Sequence, residues 1–304
     1  MSLLVVGSVA YDSIKTETMS VDEVLGGSAV YFSLAASTLT DVKLVAVVGE
    51  DFKTSDIQLL RSRSIGVEGL TIEPGETFRW VGEYTPDFNQ AITHATRLNV
   101  FERFNPVLPP SYTNSDYVFL ANIDPDLQHQ VVSQIENPRL TACDTMNFWI
   151  DGKRESLERT IRGVDMLFIN DAELRSLTRT DNLLRAADLV LSWGLTAVVV
   201  KQGSHGATLV RGDRVFHTPA FPLRDVVDTT GAGDSFAGGF MATLARLDRI
   251  DFDAMKQALA IGTIVASYNV QCFSVENLAN LTIDKIRDRF EPLRAVSALG
   301  ELEI

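Results

Sequence analysis

Short apolar runs recur along the chain, separated by stretches with the spacing of helices. The runs that predict buried strands are residues 3–6, 43–49, 117–121, 140–144, 166–170 and 197–201. Such runs are typical of strands covered on both faces, and strands that alternate with helices form parallel βαβ units. The pattern therefore predicts an α/β domain with a mostly parallel central sheet.

The polar pattern changes between residues 77 and 104. Residues 77–84 and 96–101 alternate between apolar and polar side chains, as half-exposed strands do. With strands from about 11–20, they predict a small sheet beside the main domain, which we call the lid sheet. An ordinary surface hairpin is the alternative. No repeat or linker divides the chain, so we expect a single domain spanning residues 1–304.

Composition narrows the classes of partner. The chain has 304 residues, 45% of them apolar, and a net charge of −13, which argues against binding to nucleic acid or to an anionic membrane. Cys143 and Cys272 lie far apart in apolar surroundings, which indicates free thiols in a reducing compartment. The sequence shows neither a signal peptide nor a membrane span, so we expect a cytoplasmic protein.

The most informative stretch is Asp228-Thr-Thr-Gly-Ala-Gly-Asp-Ser-Phe-Ala-Gly-Gly-Phe240. Gly231, Ala232 and Gly233 are small and lead into an apolar helix, whose first N–H groups and dipole suit a bound anion. Asp234 follows in the first turn. A carboxylate there would repel a bound phosphate, so its presence indicates a function, and the removal of a proton from an attacking hydroxyl is such a function. The simpler alternative is that these residues only cap a helix and permit a turn.

This stretch resembles the C-terminal signature of the ribokinase-like (PfkB) carbohydrate kinases. The resemblance implies a three-layer α/β/α fold with a β-sheet lid, and transfer of the γ-phosphate of ATP to a hydroxyl of a sugar or ribonucleoside. Asp234 is then the general base, and the N–H groups of Gly231, Ala232 and Gly233 stabilise the transferred charge. It also implies Mg²⁺, and a homodimer formed through the lid sheet.

The N-terminal part carries weaker motifs of the same family. Asp12 follows the first predicted strand and matches an Asp that grips substrate hydroxyls, while Gly26 and Gly27 match a Gly-Gly pair at the sugar. Tyr31 stands where these enzymes commonly have Asn. We therefore expect a substrate larger than ribose: a ribonucleoside stacked on Tyr31 is the leading case, and a hexose is the competitor. An equally favoured alternative is that the Tyr31 side chain points into the core.

Two further motifs concern the metal and the cation. Asn170 and Glu173 form Asn-Asp-Ala-Glu, which alone predicts a helix cap and in the family positions Mg²⁺ and phosphate through water. Asp228 matches a family position that helps to bind a monovalent cation, commonly K⁺. We therefore predict ATP and Mg²⁺ as cofactors, with K⁺ as a possible third.

The last motif is Lys201-Gln-Gly-Ser-His-Gly206, which resembles the family's glycine turn around the nucleotide. Gly203 and Gly206 match that turn, whereas Lys201 replaces the usual Thr. Other chemistries lack their signatures: the sequence has no GxxxxGK[ST] motif and no GxGxxG after the first strand. A nicotinamide-dependent dehydrogenase is thus disfavoured. A catalytically silent nucleotide or sugar sensor of the same fold stays as the alternative, although the intact Asp234 speaks against it.

Overall fold

The computed structural model describes residues 1–85 and 91–298. Within these ranges thirteen strands form two sheets. The strands are β1 Leu3–Val6, β2 Ala10–Lys15, β3 Ser20–Gly26, β4 Val42–Gly49, β5 Ile65–Glu73, β6 Phe78–Tyr84, β7 Ala91–Arg97, β8 Tyr117–Leu120, β9 Leu140–Asp144, β10 Met166–Asn170, β11 Ala197–Lys201, β12 Ala207–Arg211 and β13 Arg214–Thr218. The α-helices are α1 Ser28–Ala36, α2 Thr54–Ser62, α3 Pro125–Val132, α4 Asn147–Gly152, α5 Arg154–Arg162, α6 Asp171–Thr178, α7 Leu183–Leu191, α8 Ala232–Leu247, α9 Phe252–Asn269, α10 Glu276–Ala279 and α11 Ile283–Ser297.

The large sheet has the strand order β13-β12-β11-β10-β9-β8-β1-β4-β5. Every neighbouring pair from β11 to β5 is parallel, and the β12–β13 hairpin adds an antiparallel edge. Helices cover both faces, so the predicted mostly parallel α/β fold with a second, smaller sheet is confirmed. Because parallel strands run the same way, their carboxyl ends meet at one edge, where α/β folds bind ligands.

Alternate residues of each central strand point into two separate cores. Leu3 and Val5 of β1 belong to the core under α1, α8 and α9, whereas Leu4 and Val6 belong to the core on the opposite face. Each of these side chains is fully buried. This double coverage explains why the predicted strands are continuous apolar runs rather than alternating ones.

Close helix packing fixes α8 in the first of these cores. A Cβ at Gly238 would lie 2.4 Å from the carbonyl oxygen of Phe32 in α1, and one at Gly239 would lie 2.9 Å from Val265 in α9. Larger residues at either position would push the helices apart. The glycine pair therefore sets the depth at which the N-terminus of α8 meets the sheet edge.

The lid sheet has the order β3-β2-β6-β7. Its strands come from residues 10–26 and 78–97, and β2 and β6 pair in parallel. The strand predicted for residues 96–101 was wrong beyond Arg97. Asn99 has a left-handed φ of 51° and starts a 3₁₀ helix, Asn99–Arg103, that buries Val100. The alternating apolar and polar side chains that predicted a strand therefore belong to a short 3₁₀ helix in which Val100 faces inward.

The thiols and the apolar character of the helices can now be compared with the sequence predictions. Cys143 is buried and Cys272 half-buried, and both are free thiols. No helix in the described part of the chain combines the length and apolar character needed to cross a membrane.

Candidate active site

The N-terminus of α8 opens onto the carboxyl edge of the large sheet. Gly231 precedes the helix with a left-handed φ of 71°, and a Cβ there would lie 2.2 Å from the ring of Tyr31. Only glycine meets both conditions without strain. Among the three predicted anion donors, the Ala232 N–H already donates to the Thr229 carbonyl at 3.1 Å. The amides of Gly231 and Gly233 are therefore the better candidates for a bound anion.

Asp234 lies in the first turn of α8, at the floor of a cleft. Burial raises the pKa of its carboxyl to about 7, and the negative charge of Asp144 adds to this rise, while the ammonium of Lys201 opposes it. A carboxyl that titrates near neutral pH is well matched to accept a proton from a hydroxyl.

Asp12 lies on β2 at the base of the lid sheet, where it is only 4% exposed. A Cβ at Gly26 would lie 1.9 Å from Asp12 Oδ2, so the glycine leaves the space that this carboxylate occupies. Gly27 donates a backbone hydrogen bond to Asp12, but burial and the nearby charges of Asp228 and Asp234 outweigh it and raise the pKa of Asp12 to about 7.

Tyr31 borders the cleft from α1, but its side chain is only 1% exposed. The ring packs against Gly231, and its hydroxyl is buried without a hydrogen-bond partner within residues 1–85 and 91–298. The interpretation that this ring stacks on a nucleobase is therefore wrong, because neither face of the ring is exposed. The alternative, in which Tyr31 turns into the core, describes its position.

The cleft, of about 200 Å³, runs between α8 and the lid sheet. Phe78, Trp80 and Tyr84 lie at alternate positions of β6 and line one side of it. Tyr84 touches the loop before α8, where its hydroxyl oxygen lies 3.2 Å from that of Thr230, within hydrogen-bond distance. Phe101, which follows the lid sheet, stacks on Phe78 at 5.3 Å between ring centres.

Sequence reasoning missed several residues that line this cleft. They are Ser8, Ser28, Phe78, Tyr84 and Asn122. The period of two in β6 was the available signal for its aromatic face, since Phe78, Trp80 and Tyr84 share one side of the strand. Asn122 follows β8 without any motif, and only the sheet order brings it to the site.

The two residues of Asn170-Asp-Ala-Glu173 form a capping box at the start of α6. Asn170 Oδ1 accepts a hydrogen bond of 2.7 Å from the Glu173 N–H, and Glu173 Oε2 accepts one of 2.9 Å from the Asn170 N–H. Burial raises the pKa of Glu173 to about 7; Lys201 opposes this rise and Asp144 adds to it. One carboxylate oxygen remains to face a hydrated ion.

Residues 1–85 and 91–298 hold no cluster of three or more His, Cys, Asp or Glu side chains arranged to bind a metal ion. Glu173 nevertheless suits Mg²⁺, which prefers oxygen donors and retains several waters beside phosphate oxygens. The residues present are therefore compatible with a metal held partly by the nucleotide.

The glycine turn after β11 folds as a 3₁₀ turn, Gly203–His205, closed by a 2.8 Å hydrogen bond from the Gln202 N–H to the Gly206 carbonyl. Gly203 and Gly206 have left-handed φ values of 55° and 100°. A Cβ at Gly206 would lie 2.0 Å from the Thr218 carbonyl oxygen. Lys201, just before this turn, points away from it, toward Asp144 and Gly233.

Asp228 lies beneath the loop that precedes α8 and is 1% exposed. Its Oδ1 accepts hydrogen bonds from the N–H and hydroxyl of Thr230, at 2.8 and 2.7 Å. Among the described residues its Oδ2 is buried with no hydrogen-bond partner, and burial raises the pKa of the carboxyl, while Thr230 and the backbone of Ser274 oppose this rise. Asn269 Oδ1 is likewise buried and has no partner in the described part of the chain, and the Asn269 amide donates to the Thr230 carbonyl. Such orphaned oxygens suit a monovalent cation.

Comparison with known proteins identifies the family of the chain. The family model "pfkB family carbohydrate kinase" matches residues 2–281. A cytidine kinase of Thermococcus kodakarensis is 26% identical over 253 residues, which cover 81% of this chain and 89% of that protein. A nucleoside kinase of Methanocaldococcus jannaschii is 27% identical over 273 residues, which cover 87% of this chain and 86% of that protein.

The fold is shared with solved structures of ribokinase-family kinases. One is a putative ribokinase II from E. coli in complex with ATP and Mg²⁺, with a TM-score of 0.80 at 16% identity, covering 96% of this chain and 99% of that one. Because the family model spans nearly the whole chain and includes the edge at which Asp234 and Asp12 meet, this protein belongs to the pfkB family of carbohydrate kinases and is a kinase of a sugar or nucleoside.

Proposed function

We propose that this protein is an ATP-dependent ribonucleoside kinase with Asp234 as its general base. The observation that carries the proposal is the cleft in which Asp12 and Asp234 face an aromatic wall formed by Phe78, Trp80 and Tyr84. Adjacent ribose hydroxyls suit the two oxygens of Asp12, and flat apolar rings suit a nucleobase. The nucleoside and cytidine kinases among the relatives support the same choice.

In the proposed reaction, a ribose hydroxyl gives its proton to Asp234 as its oxygen forms a bond to the γ-phosphorus. The bond between that phosphorus and the leaving oxygen of ADP breaks, and the electron pair departs with ADP. The N–H groups of Gly231 and Gly233 at the start of α8 stabilise the charge on the transferred group. Gly26 and Gly27 keep the backbone close to the ribose, and Tyr31 supports Gly231.

Two ions assist the reaction in this proposal. Mg²⁺ neutralises charge on the phosphates when bound, and Glu173 would order its water shell from the capping box with Asn170. K⁺ would occupy the buried environment of Asp228 Oδ2. Gly203 and Gly206 shape the turn that would border the nucleotide. The homodimer through the lid sheet and the cytoplasmic location stay predictions.

The decisive experiment compares acceptors. Purified protein with Mg²⁺-ATP is incubated with cytidine, adenosine, inosine, ribose and fructose, and ADP release is measured for each. We expect kcat/KM for at least one nucleoside to exceed that for ribose and fructose by about tenfold or more. A hexose as the best substrate would overturn the nucleoside assignment and leave a sugar kinase. Nucleotide binding without turnover of any acceptor would favour the silent sensor.

A further inference from the structure

A buried ion pair joins the ends of two strands beside the N-terminus of α8. Lys201 ends β11 and its Nζ lies 2.5 Å from Oδ2 of Asp144, which ends β9. To make this contact the lysine reaches across β10, which lies between the two strands. The side chains are 18% and 4% exposed, and Asp144 Oδ1 accepts a further hydrogen bond of 2.8 Å from the Thr145 N–H.

Stability is a weak reason for such a pair. Removing two charges from water costs several kcal/mol per ion, so buried pairs rarely stabilise more than apolar side chains of equal size. The location of the pair is more informative. A Cβ added to Gly233 would lie 3.1 Å from Lys201 Nζ, so the ammonium sits directly beneath the helix end that would hold the transferred phosphate.

The same ammonium faces several carboxylates of the site. Among the described groups whose charges shift the pKa of Asp234 and Glu173, Lys201 is the one cation. Burial alone would lower the pKa of Lys201. The surrounding carboxylates outweigh burial and raise that pKa, so the ammonium stays charged and cannot act as the base.

We propose that Lys201 contacts the γ-phosphoryl group of ATP as it is transferred, and that Asp144 is a positioning residue that holds the ammonium beneath Gly233. This inference rests on the kinase function proposed above and gives it a cation supplied by the protein. The ammonium keeps its three protons throughout, because the proton of the acceptor hydroxyl goes to Asp234. One N–H stays on Asp144, and the others, which donate no hydrogen bond to the residues that the structure describes, can meet phosphate oxygens.

Turnover and nucleotide binding together test this role. In Lys201→Met we expect kcat to fall about 100-fold, the loss typical of one charge-stabilising donor, with the KM for the nucleoside changed by less than about threefold. Lys201→Arg should recover part of kcat because it keeps the charge. By calorimetry, Lys201→Met should weaken binding of the ATP analogue AMP-PNP about tenfold more than binding of ADP, since only the analogue has a γ-phosphate.

Asp144 is tested through its partner. Asp144→Asn should lower kcat about tenfold, and the double variant with Lys201→Met should be no slower than Lys201→Met alone, because residues that act as one unit are not additive. Lys153→Met is the matched control. Lys153 pairs with Asp124 and Asp126 on the outside of the molecule, and its loss should leave kcat unchanged.

The inference is overturned by a Lys201→Met enzyme with kcat within about threefold of wild type, or by equal losses of AMP-PNP and ADP affinity. Additive effects in the double variant would remove the positioning role of Asp144. If the wild type binds both nucleotides but releases no ADP with any acceptor, the proposed function fails while the affinity ratio still decides the γ-phosphate contact. A wild type that binds neither nucleotide overturns both.

Discussion

Replacing the proposed base should make this protein more stable while it stops catalysis. Burial and the charge of Asp144 raise the pKa of Asp234 from an ordinary 3.8 to about 7, so the folded protein disfavours the carboxylate that the reaction needs. Asp234→Asn keeps the shape of the side chain and removes the charge. Active-site groups held in such unfavourable states are a recognised cost of function.

The sign of the effect follows from proton linkage. Because the folded pKa lies above the unfolded one, the native state binds more protons between about pH 4 and pH 7, and stability falls as the pH rises through that range. The difference corresponds to at most about 4 kcal/mol at 1.36 kcal/mol per pKa unit. Since Asp234 is partly solvent-accessible, we reduce this to about 2 kcal/mol.

Thermal unfolding at pH 5 and pH 8 measures the effect. Asp234→Asn should melt above wild type at pH 8, by an amount on the order of 4 °C, and the gap should shrink at pH 5. Asp213→Asn, in the exposed turn between β12 and β13, is the matched control for loss of one negative charge. An Asp234→Asn protein that melts at or below wild type at pH 8 would refute the reasoning about burial.

The same variant separates stability from chemistry. Its kcat should fall by roughly 10²–10⁴ while ATP binding survives, because the amide cannot accept the proton. In the wild type, kcat/KM should rise with pH through about 7. That limb belongs to Asp12 and Asp234 together, since the charge of Asp234 helps to raise the pKa of Asp12 and both carboxyl groups have a pKa of about 7. A limb centred below about pH 5.5 contradicts the assignment of the base.

Four further predictions address the ions, the helix end and the substrate. Glu173→Gln should raise the Mg²⁺ concentration for half-maximal rate by about tenfold, and an unchanged Mg²⁺ titration would remove Glu173 from the metal shell. Exchange of KCl for NaCl at constant ionic strength should lower the rate if a cation binds at Asp228; equal rates would dismiss that site and leave the kinase intact. Gly231→Ala should lower both melting temperature and kcat, because a Cβ there meets the ring of Tyr31 at 2.2 Å, and Tyr31→Asn in the same chain should recover part of each. Trp80→Ala should raise the KM for the nucleoside about tenfold with little change in the KM for ATP. Unaltered nucleoside kinetics would exclude Trp80 from contact with the nucleobase.

The sequence predicted strand positions best where helices cover both faces of the sheet. The strands predicted at residues 140–144, 166–170 and 197–201 have those same bounds in the structure, because a strand covered by helices on both faces needs an unbroken apolar run. It was least informative at the edge of the sheet. The β12–β13 hairpin, covering residues 207–218, mixes apolar and polar side chains, and no motif marks it as part of the sheet.

The charged residues of the site illustrate a different limit. The position of Asp234 in the first turn of α8 was predictable, because Gly231, Ala232 and Gly233 directly precede it and lead into the helix. The Asp144–Lys201 pair was not, although both residues end predicted strands. Their contact depends on β9 and β11 flanking β10, and strand order is a tertiary property that spacing along the chain does not encode. The motif-based interpretation of Lys201 as a neighbour of the glycine turn missed the direction of its side chain for the same reason.

Tyr31 shows how a tertiary contact reassigns the source of specificity. The motif placed a side chain at this position against the substrate, so a large ring there suggested stacking. In the fold, Gly231 lacks a side chain and leaves a space that the ring fills, 200 residues away along the sequence. Burial raises the pKa of the Tyr31 hydroxyl well above its ordinary value, and the charges of Asp12 and Asp228 raise it further, so the hydroxyl stays protonated among these acids. The ring therefore holds the helix end in place. In the proposed function, the aromatic side of β6 would then distinguish a nucleoside from a free sugar.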